Sequence, residues 1–298
     1  MRASRNVALL LLFFAIAACA AGADSYPDLR DCEDPELKAA IEHVLRKNHI
    51  FWRAKAGGRA SLVVADVTDL REPKVASFEP ELMMYAASLP KIGIIHGVFV
   101  EVQAGRLEID EETRQQLIQT VKVSSNRDAS ALLYKVGFER LAEILQDPAH
   151  GALYDPKYGG GIWVGKAYDK SPVWRRDPIQ GISHAASAMQ AARFYYGALT
   201  GTLIDEKYGP LLAEIFGKPG VKHKFVKGLK GRDREIFRKS GTWRSYHADS
   251  GVIYLPDDSR YIVVALGRGD KAGQGLVELI KQVDDVMEER ANLRAAAR

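Results

Sequence analysis

The sequence predicts an α/β (α+β) protein in which N- and C-terminal strands form one antiparallel sheet, flanked by helices, with an inserted all-helical lobe. Between residues 86 and 217 apolar residues recur mainly at helical spacing. On either side of this block lie apolar runs with strand character, at 59–68, 74–78, 235–243, 250–255 and 260–267. Strands at the two ends of a chain that enclose a helical block pair most economically in a single sheet.

The N-terminal part of the sheet is predicted from two short runs. Asp34 and Pro35 cap a helix that extends to about Asn48 and carries its apolar residues on one face. Residues 59–68 contain the apolar run Leu62-Val63-Val64-Ala65, and a turn at 69–73 separates them from the second strand.

The inserted lobe is predicted from helical periodicity between stop signals. Helices are expected at 88–105, 110–123, 138–145 and 206–216, in a segment that ends at Gly137, and in a segment capped by Ser183 that ends near Leu199. Residues 147–181 are expected to be irregular. They are too long for a simple connection. Their aromatic residues line a site or hold the loop by packing, and the sequence leaves both readings open.

The C-terminal part returns to strands, of which the last two form a hairpin, followed by a helix from Gln274 to about Asn292. A basic stretch precedes them, at 218–234, and Arg238 extends it. We expect a solvated loop there, including Lys224. A second role, drawing anionic substrates toward the site, is the alternative.

Composition bounds the class of protein. The 298 residues carry a formal net charge of +4, which is too small to indicate nucleic acid as a partner. We expect no cofactor, no metal and a monomer. Residues 34–292 form one predicted catalytic domain, with an α/β lobe at 34–85 and 218–292, a helical lobe at 86–217 and a tail at 293–298.

The N-terminus reads as an export signal. Arg2 and Arg5 precede an apolar run that is too short to span a bilayer, and Ala21-Gly22-Ala23 fits a cleavage site. Residues 1–23 are therefore a predicted signal peptide and 24–33 a linker. The mature protein is expected in the periplasm or cell envelope.

A competing interpretation of the same segment is a bacterial lipobox, Ile16-Ala17-Ala18-Cys19. Lipidated Cys19 would then attach the protein to a membrane. In either case Cys32 has no partner, so no disulfide is expected.

One short stretch suggests a serine nucleophile even without the rest of the chain. Ser88-Leu89-Pro90-Lys91 opens the apolar run 92–102. A serine hydroxyl is a weak nucleophile at neutral pH and needs a nearby base. Lys91 lies one helical turn beyond Ser88, on the same face, and burial among apolar neighbours lowers a lysine pKa. Lys91 could then accept the Ser88 proton.

Two further motifs follow in order. Ser124-Ser125-Asn126 ends a predicted helix, and Lys239-Ser240-Gly241-Thr242 lies on a predicted strand. Alone, the first is a common helix stop and the second an ordinary basic strand end. Together with Ser88-x-x-Lys91 they resemble the motifs of the penicillin-recognising serine hydrolases, most closely the class A β-lactamase-like branch. The resemblance covers about residues 34–292.

The resemblance implies a catalytic role for each of five residues. Ser88 would attack an acyl carbonyl, and Lys91 would be its base or proton relay. Ser124 would pass a proton to the leaving nitrogen. Asn126 would donate to the amide carbonyl of the substrate and to Lys91. Lys239 would keep the field positive and hold Ser124 in place.

It also implies substrate-binding roles. The hydroxyls of Ser240 and Thr242 would bind a substrate carboxylate, and Gly241 completes that motif. The backbone N–H groups of Ser88 and Thr242 would form an oxyanion hole. Arg244, two residues past Thr242, is expected on the same strand face, where it would add to carboxylate binding.

Two departures from the family pattern affect the mechanism. The interval from Ser88 to Ser124 is shorter than usual, which implies a more open cleft. The family also carries a glutamate that activates the deacylating water, whereas residues 151–183 contain no glutamate. Of the acidic residues there, Asp155, Asp169 and Asp177, Asp169 is nearest by spacing and is the candidate deacylation base.

The sequence therefore predicts an exported serine acyl-hydrolase that acts through a Ser88 acyl-enzyme on β-lactams or related amides and esters, with slow deacylation. Two alternatives stay open. One is a D-alanyl-D-alanine carboxypeptidase, peptidase or esterase on the same scaffold, with a D-Ala-D-Ala-like substrate. The other is an envelope protein that binds peptidoglycan or penicillin without turnover.

Overall fold

The computed structural model of the protein describes residues 26–48 and 59–297. The predicted signal peptide and the lipobox with Cys19 lie outside the described residues. Cys32 carries a free thiol. None of the helices in the described ranges combines the length and the apolar character needed to cross a membrane. Residues 26–33, within the predicted linker, pack on the fold: Leu29 is buried, and Glu33 forms a bridge to Val75.

One antiparallel sheet of five strands organises the molecule, in the order β2-β1-β10-β9-β8. β1 is buried along its whole length, as its apolar run predicts for a strand covered on both faces. The described strands are β1 (Ala60–Asp66), β2 (Lys74–Phe78), β3 (Met84–Tyr85), β4 (Tyr154–Asp155), β5 (Gly160–Gly161), β6 (Trp163–Val164), β7 (His184–Ala186), β8 (Glu235–Trp243), β9 (Tyr246–Tyr254) and β10 (Arg260–Arg268).

Helices cover both faces of this sheet. The described helices are α1 (Pro35–Lys47), α2 (Lys91–Gln103), α3 (Glu111–Lys122), α4 (Asn126–Val136), α5 (Phe138–Gln146), α6 (Ala188–Leu199), α7 (Gly209–Phe216), the one-turn α8 (Phe225–Gly228) and α9 (Ala272–Ala296). On one face, Leu37 of α1 and Leu279 of α9 share an apolar cluster with Val263 of β10. On the other, α6 joins the sheet to the core of the inserted lobe. The predicted fold class is confirmed.

The inserted lobe is not wholly helical. β3, β7 and β6 form a three-stranded sheet, and β4 pairs with β5. The helix cap predicted at Ser183 is wrong. The cap is Ser187, whose side chain accepts from the Gln190 N–H, because the residues between the two serines are extended and pair with β3. Both serines suit a cap, and this long-range pairing decides between them.

The predicted irregular segment is held by packing. Trp163 is buried and stacks on Trp174 with ring centroids 6.4 Å apart. The Asp177 carboxylate accepts from the backbone N–H groups of Ile179, Gln180 and Ile182. These contacts fix the loop that forms one wall of the cleft described below.

Candidate active site

Ser88 lies in the tight turn that leads into α2. The preceding residue, Ala87, adopts a positive φ of 53°, and Leu89 N donates to Ala86 O at 3.0 Å. A positive φ is uncommon for a residue with a side chain and occurs mainly where the surrounding structure requires it. Ser88 is half-buried and lines a cleft of about 760 Å³.

Lys91, the first residue of α2, is 0% exposed. Its Nζ donates to Ser124 O at 2.7 Å, to Ser125 O at 3.1 Å and to Asn126 Oδ1 at 2.8 Å. Burial lowers the pKa of Lys91 to about 7, and the negative charge of Asp128 opposes this shift. The side chain is therefore close to losing its proton at neutral pH.

The contact between Lys91 and Asn126 runs opposite to the expected direction. Asn126 accepts through Oδ1 instead of donating, because the ammonium group of Lys91 can only donate. The amide NH₂ of Asn126 then remains as the group for a substrate carbonyl, and Asn126 lines the cleft.

Ser124 connects the first and third motifs. It has a positive φ of 60°, its backbone oxygen accepts from Lys91, and its Oγ accepts from Lys239 Nζ at 2.9 Å. Burial, and then the neighbouring Lys91, lower the pKa of Lys239. The hydrogen bond from Lys239 to Ser124 Oγ is of the kind expected to hold Ser124 in place.

Gly241 brings β8 against the nucleophile turn. A Cβ at this position would lie 2.0 Å from Ala86 O and 3.0 Å from Ser88 N, closer than any real side chain permits. Glycine is thus required for the close approach of strand and turn. The approach brings β8 at Gly241 against the backbone of the turn that carries Ser88, and Ser88 and Thr242 line the same cleft.

Lys224 belongs to the site. The prediction that it lies in a solvated loop is wrong. It is 4% exposed, and its Nζ donates to Thr242 Oγ1 at 2.7 Å and to Gly241 O at 2.6 Å. Burial lowers its pKa to about 8, while Asp249 opposes the shift. Because Thr242 Oγ1 accepts from Lys224, the hydroxyl hydrogen is left to donate outward to a bound anion.

A buried ion pair supports this arrangement. Arg238, which the sequence also placed in the basic stretch, is 2% exposed and donates through Nε and Nη2 to both oxygens of Asp249, each at 2.7 Å. Asp249 also accepts from the backbone N–H of Phe225. Together these contacts fix the one-turn helix α8 and the preceding Lys224 beneath β8.

Two predicted site residues stand apart from this cluster. Arg244 is not on the strand face: it lies in the turn between β8 and β9 with a φ of 49°, exposed, with its guanidinium over the Trp243 ring at 5.6 Å. Asp169 is exposed at the rim, where its carboxylate accepts from Tyr134 Oη at 2.8 Å and from the backbone N–H of Ser171.

An aromatic ring lies beside the buried lysine. The centroid of the Tyr168 ring is 4.5 Å from Lys91 Nζ, and its hydroxyl donates to Ala87 O at 3.2 Å. Its backbone N–H donates to Ser130 Oγ. Tyr168 therefore covers the side of Lys91 that faces the long loop.

Comparisons with known proteins identify the family and the fold. The family model described as the beta-lactamase enzyme family matches residues 36–287. The β-lactamase of Sphaerobacter thermophilus has a similar structure, with a TM-score of 0.65 at 12% identity over 84% of this chain and 97% of that one. The comparison with curated protein sequences gives no match.

Two further solved structures are similar. A variant of the class A β-lactamase of the last common ancestor of Gram-negative bacteria has a TM-score of 0.66 at 16% identity, over 85% of this chain and 99% of that one. PBP-A has a TM-score of 0.64 at 15% identity, over 86% and 97%. At these identities the structures show a shared fold, and the family match spans most of the chain. The protein belongs to the beta-lactamase enzyme family, and its three motifs resemble those of the class A members.

Proposed function

We propose that the protein is a serine acyl-hydrolase that forms a Ser88 acyl-enzyme with β-lactams or related amides and esters and releases it slowly. The observation that supports this most strongly is the convergence of three distant motifs, since Lys91 and Lys239 both contact Ser124 beside the Ser88 turn. The test is to incubate the protein with a fluorescent penicillin and with a chromogenic cephalosporin, and to record labelling and turnover separately.

In the acylation step, neutral Lys91 takes the proton of Ser88 Oγ as the oxygen attacks the acyl carbonyl. The N–H groups of Ser88 and Thr242 stabilise the oxyanion, which is usually the largest electrostatic contribution in acyl transfer. The C–N bond then breaks, and the leaving nitrogen takes a proton from Ser124, which Lys239 replenishes. A Ser88 ester remains.

The same site offers a cradle for a substrate carboxylate. Thr242 donates outward because Lys224 fills its acceptor position, and the buried ammonium of Lys224 supplies charge from below. The hydroxyl of Ser240, on the same strand, is the second donor. A cation behind two hydroxyls suits a carboxylate, because charge-assisted hydrogen bonds are the stronger ones.

Lys224→Met is expected to raise KM by about 10- to 100-fold for a carboxylate substrate, since a hydrogen bond to a charged group contributes about 1.5–3 kcal/mol. The methyl ester of the same substrate should change little. The comparison of carboxylate and ester separates recognition from a general loss of folding, and Lys222→Met, in an exposed neighbour, is the matched control. Equal effects on both substrates would remove the claim.

Acylation should show a bell-shaped dependence on pH. It should rise through about 7, because Lys91 must lose its proton to act as a base, and fall through about 8, because Lys224 then loses the charge that attracts the carboxylate. The measurement is the second-order rate constant for acylation between pH 5 and 9.5.

The control for this profile is Asp128→Asn. The Asp128 charge raises the pKa of Lys91, so its removal should move the rising limb to lower pH. A rising limb that stays in place, or a flat profile in the wild-type protein, would show that Lys91 is not the titrating base.

Slow deacylation is proposed because the described lining of the cleft offers a single carboxylate for activating a water, and Asp128, whose charge acts on Lys91, is not part of that lining. Among the described residues that line the cleft, Asp169 is the sole carboxylate, and Tyr134 and Ser171 hold it at the rim. Asp177 is tied to the backbone of its own loop. The residue of the long loop that covers Lys91 is Tyr168, and not a carboxylate that could act as a base.

A D-alanyl-D-alanine carboxypeptidase is the second candidate. The observation that favours it is the similarity to PBP-A, a variant of which was solved as an acyl-enzyme complex with penicillin G. A detectable adduct of that kind is what the proposed slow deacylation predicts for this chain. Release of D-alanine from a peptide ending in D-Ala-D-Ala, at a rate above that for penicillin hydrolysis, would favour it.

Export belongs to the same proposal. The positive n-region, the short apolar run and the small-residue cleavage site support secretion to the envelope, and the lipobox supports attachment there through Cys19. Replacing Cys19 with serine and fractionating cells would distinguish the two forms, because only a lipidated protein would move from the membrane to the soluble fraction.

A further inference from the structure

The described lining of the active-site cleft includes Ser88, Asn126 and Thr242 but not Ser124 or Lys239, the two residues that serve the leaving group in the proposed mechanism. In that mechanism, the acyl side of the scissile bond is the side that faces this lining. The part of a substrate that remains on the enzyme after acylation would lie there.

Positively charged side chains outnumber negatively charged ones along this part of the cleft. Lys166 and Arg176 come from the long loop, and Arg244 and Arg268 from the strand side. Asp169 is the single carboxylate among the described lining residues, and its oxygens are engaged at the rim by Tyr134 and Ser171.

Three of these cations, Arg176, Arg244 and Arg268, contact a carbonyl or a ring face of a described residue. Arg176 Nη1 donates to Gly181 O at 3.1 Å, and the guanidinium of Arg268 lies over the Tyr246 ring at 5.2 Å. Both side chains are exposed, so their charge is available to a ligand. Walls of one sign concentrate the field inside a cleft and raise the local concentration of counter-charged substrate.

Rings form the floor between these walls. Tyr246 contacts Tyr85 at 5.4 Å, Tyr85 contacts His184 at 6.1 Å, and His184 contacts Tyr168 at 4.4 Å between centroids. All four line the cleft. Burial lowers the pKa of His184 to about 4, so the floor is neutral at pH 7. It offers apolar contact, and the walls offer positive charge.

We infer that the acyl side of the substrate carries an anionic group of its own, in addition to the carboxylate held by Thr242 and Ser240. This inference rests on the proposed function and names its substrate class: dianionic acyl donors with an apolar or aromatic body. Arg176, on the long loop, and Arg268, at the end of β10, determine the preference. A substrate with only one carboxylate leaves these guanidinium groups in water.

The test uses two penicillins that differ by one charge. Carbenicillin is benzylpenicillin with a carboxylate on the side-chain α-carbon. Wild-type protein should be acylated faster by carbenicillin at low salt, and the advantage should shrink as salt rises. In Arg176→Gln/Arg268→Gln the ratio of the two rate constants should fall by about threefold or more, as expected for exposed charge pairs.

Two controls separate charge from loop structure. Arg175→Gln removes a neighbouring exposed guanidinium that lies over the Trp174 ring, outside the cleft, and should keep the wild-type ratio. Arg176→Lys keeps the charge and should retain most of the preference. If Arg175→Gln lowers the ratio as much as the double variant, the effect is one of overall charge and the inference is wrong.

A binding experiment keeps this inference distinct from the proposed chemistry. In Ser88→Ala no ester can form, and Trp243, which is 54% exposed and lines the cleft, serves as a fluorescent reporter. Carbenicillin should bind this variant more tightly than benzylpenicillin, and the double arginine substitution should abolish the difference. Failure of wild-type protein to acylate with benzylpenicillin would overturn the proposed function alone. Equal dissociation constants for the two penicillins would overturn the inference.

Discussion

Ser88→Ala should abolish covalent labelling by a fluorescent penicillin. The Ser88 oxygen becomes part of the ester in the acyl-enzyme, and a methyl group cannot replace it. The side chain is half-buried in a turn whose geometry is set by the backbone, so the fold should survive. The measurement is in-gel fluorescence after labelling, with the melting temperature as the check on folding.

The matched control is Ser245→Ala. Ser245 lines the same cleft but lies in the turn between β8 and β9, away from Lys91 and Ser124. It should label like the wild-type protein. A folded Ser88→Ala protein that labels at the wild-type rate would show that another residue is the nucleophile.

The second large effect concerns the lifetime of the acyl-enzyme. General-base catalysis contributes about 10²–10⁴-fold to a rate, and the sole carboxylate among the described cleft residues, Asp169, is held at the rim by Tyr134 and Ser171. A chromogenic cephalosporin should therefore give a burst of about one product per protein molecule, followed by a much slower steady phase. Stopped-flow absorbance measures both phases.

Asp169→Asn tests the candidate base directly. Because Asp169 is exposed and its carboxylate is bound by Tyr134 and Ser171, the slow phase should be unchanged in this variant. If the substitution slows the steady phase further, Asp169 is the base after all, and the loop must bring it to the ester. Rapid multiple turnover without a burst in the wild-type protein would contradict slow deacylation itself.

The strands β1 and β10 could be predicted from sequence because their long apolar runs are typical of strands covered on both faces. β2 and β8 begin and end at the predicted residues. β9 begins at Tyr246, earlier than predicted, because the polar start of this strand does not look like one. Its Asp249 is fully buried, but only the pairing with Arg238 in the folded protein makes that burial favourable.

The motifs could be found from sequence, but the supporting cluster could not. Ser88, Ser124 and Lys239 are recognisable by order and spacing. Lys224 is not, because a lysine among glycines and other basic residues is normally solvated. Its burial depends on carbonyl and hydroxyl partners on β8 and β9, which no local pattern predicts. Lys224, which precedes the one-turn helix α8, also has a positive φ, and no sequence pattern predicts this backbone conformation.

The error for Arg244 is of the opposite kind, because the sequence predicts a position on the strand face that Arg244 does not have. Counting along a strand placed it on the face of Thr242, but β8 ends at Trp243 and the chain turns with a positive φ at Arg244. Period-two reasoning holds only while the chain stays extended. Sequence spacing alone makes Asp169 the candidate deacylation base. The hydrogen bonds that hold it at the rim depend on the folded structure, so spacing does not predict them.

The central claim is that Ser88 forms a slowly hydrolysed acyl-enzyme, and mass spectrometry tests it most directly. Wild-type protein is mixed with benzylpenicillin, its intact mass is followed over time, and the adduct is located by peptide mapping. We predict a mass increase equal to the whole drug, lasting minutes or longer, on the peptide that contains Ser88. An adduct on a different residue, or none at any time while penicillin is consumed, would contradict the claim.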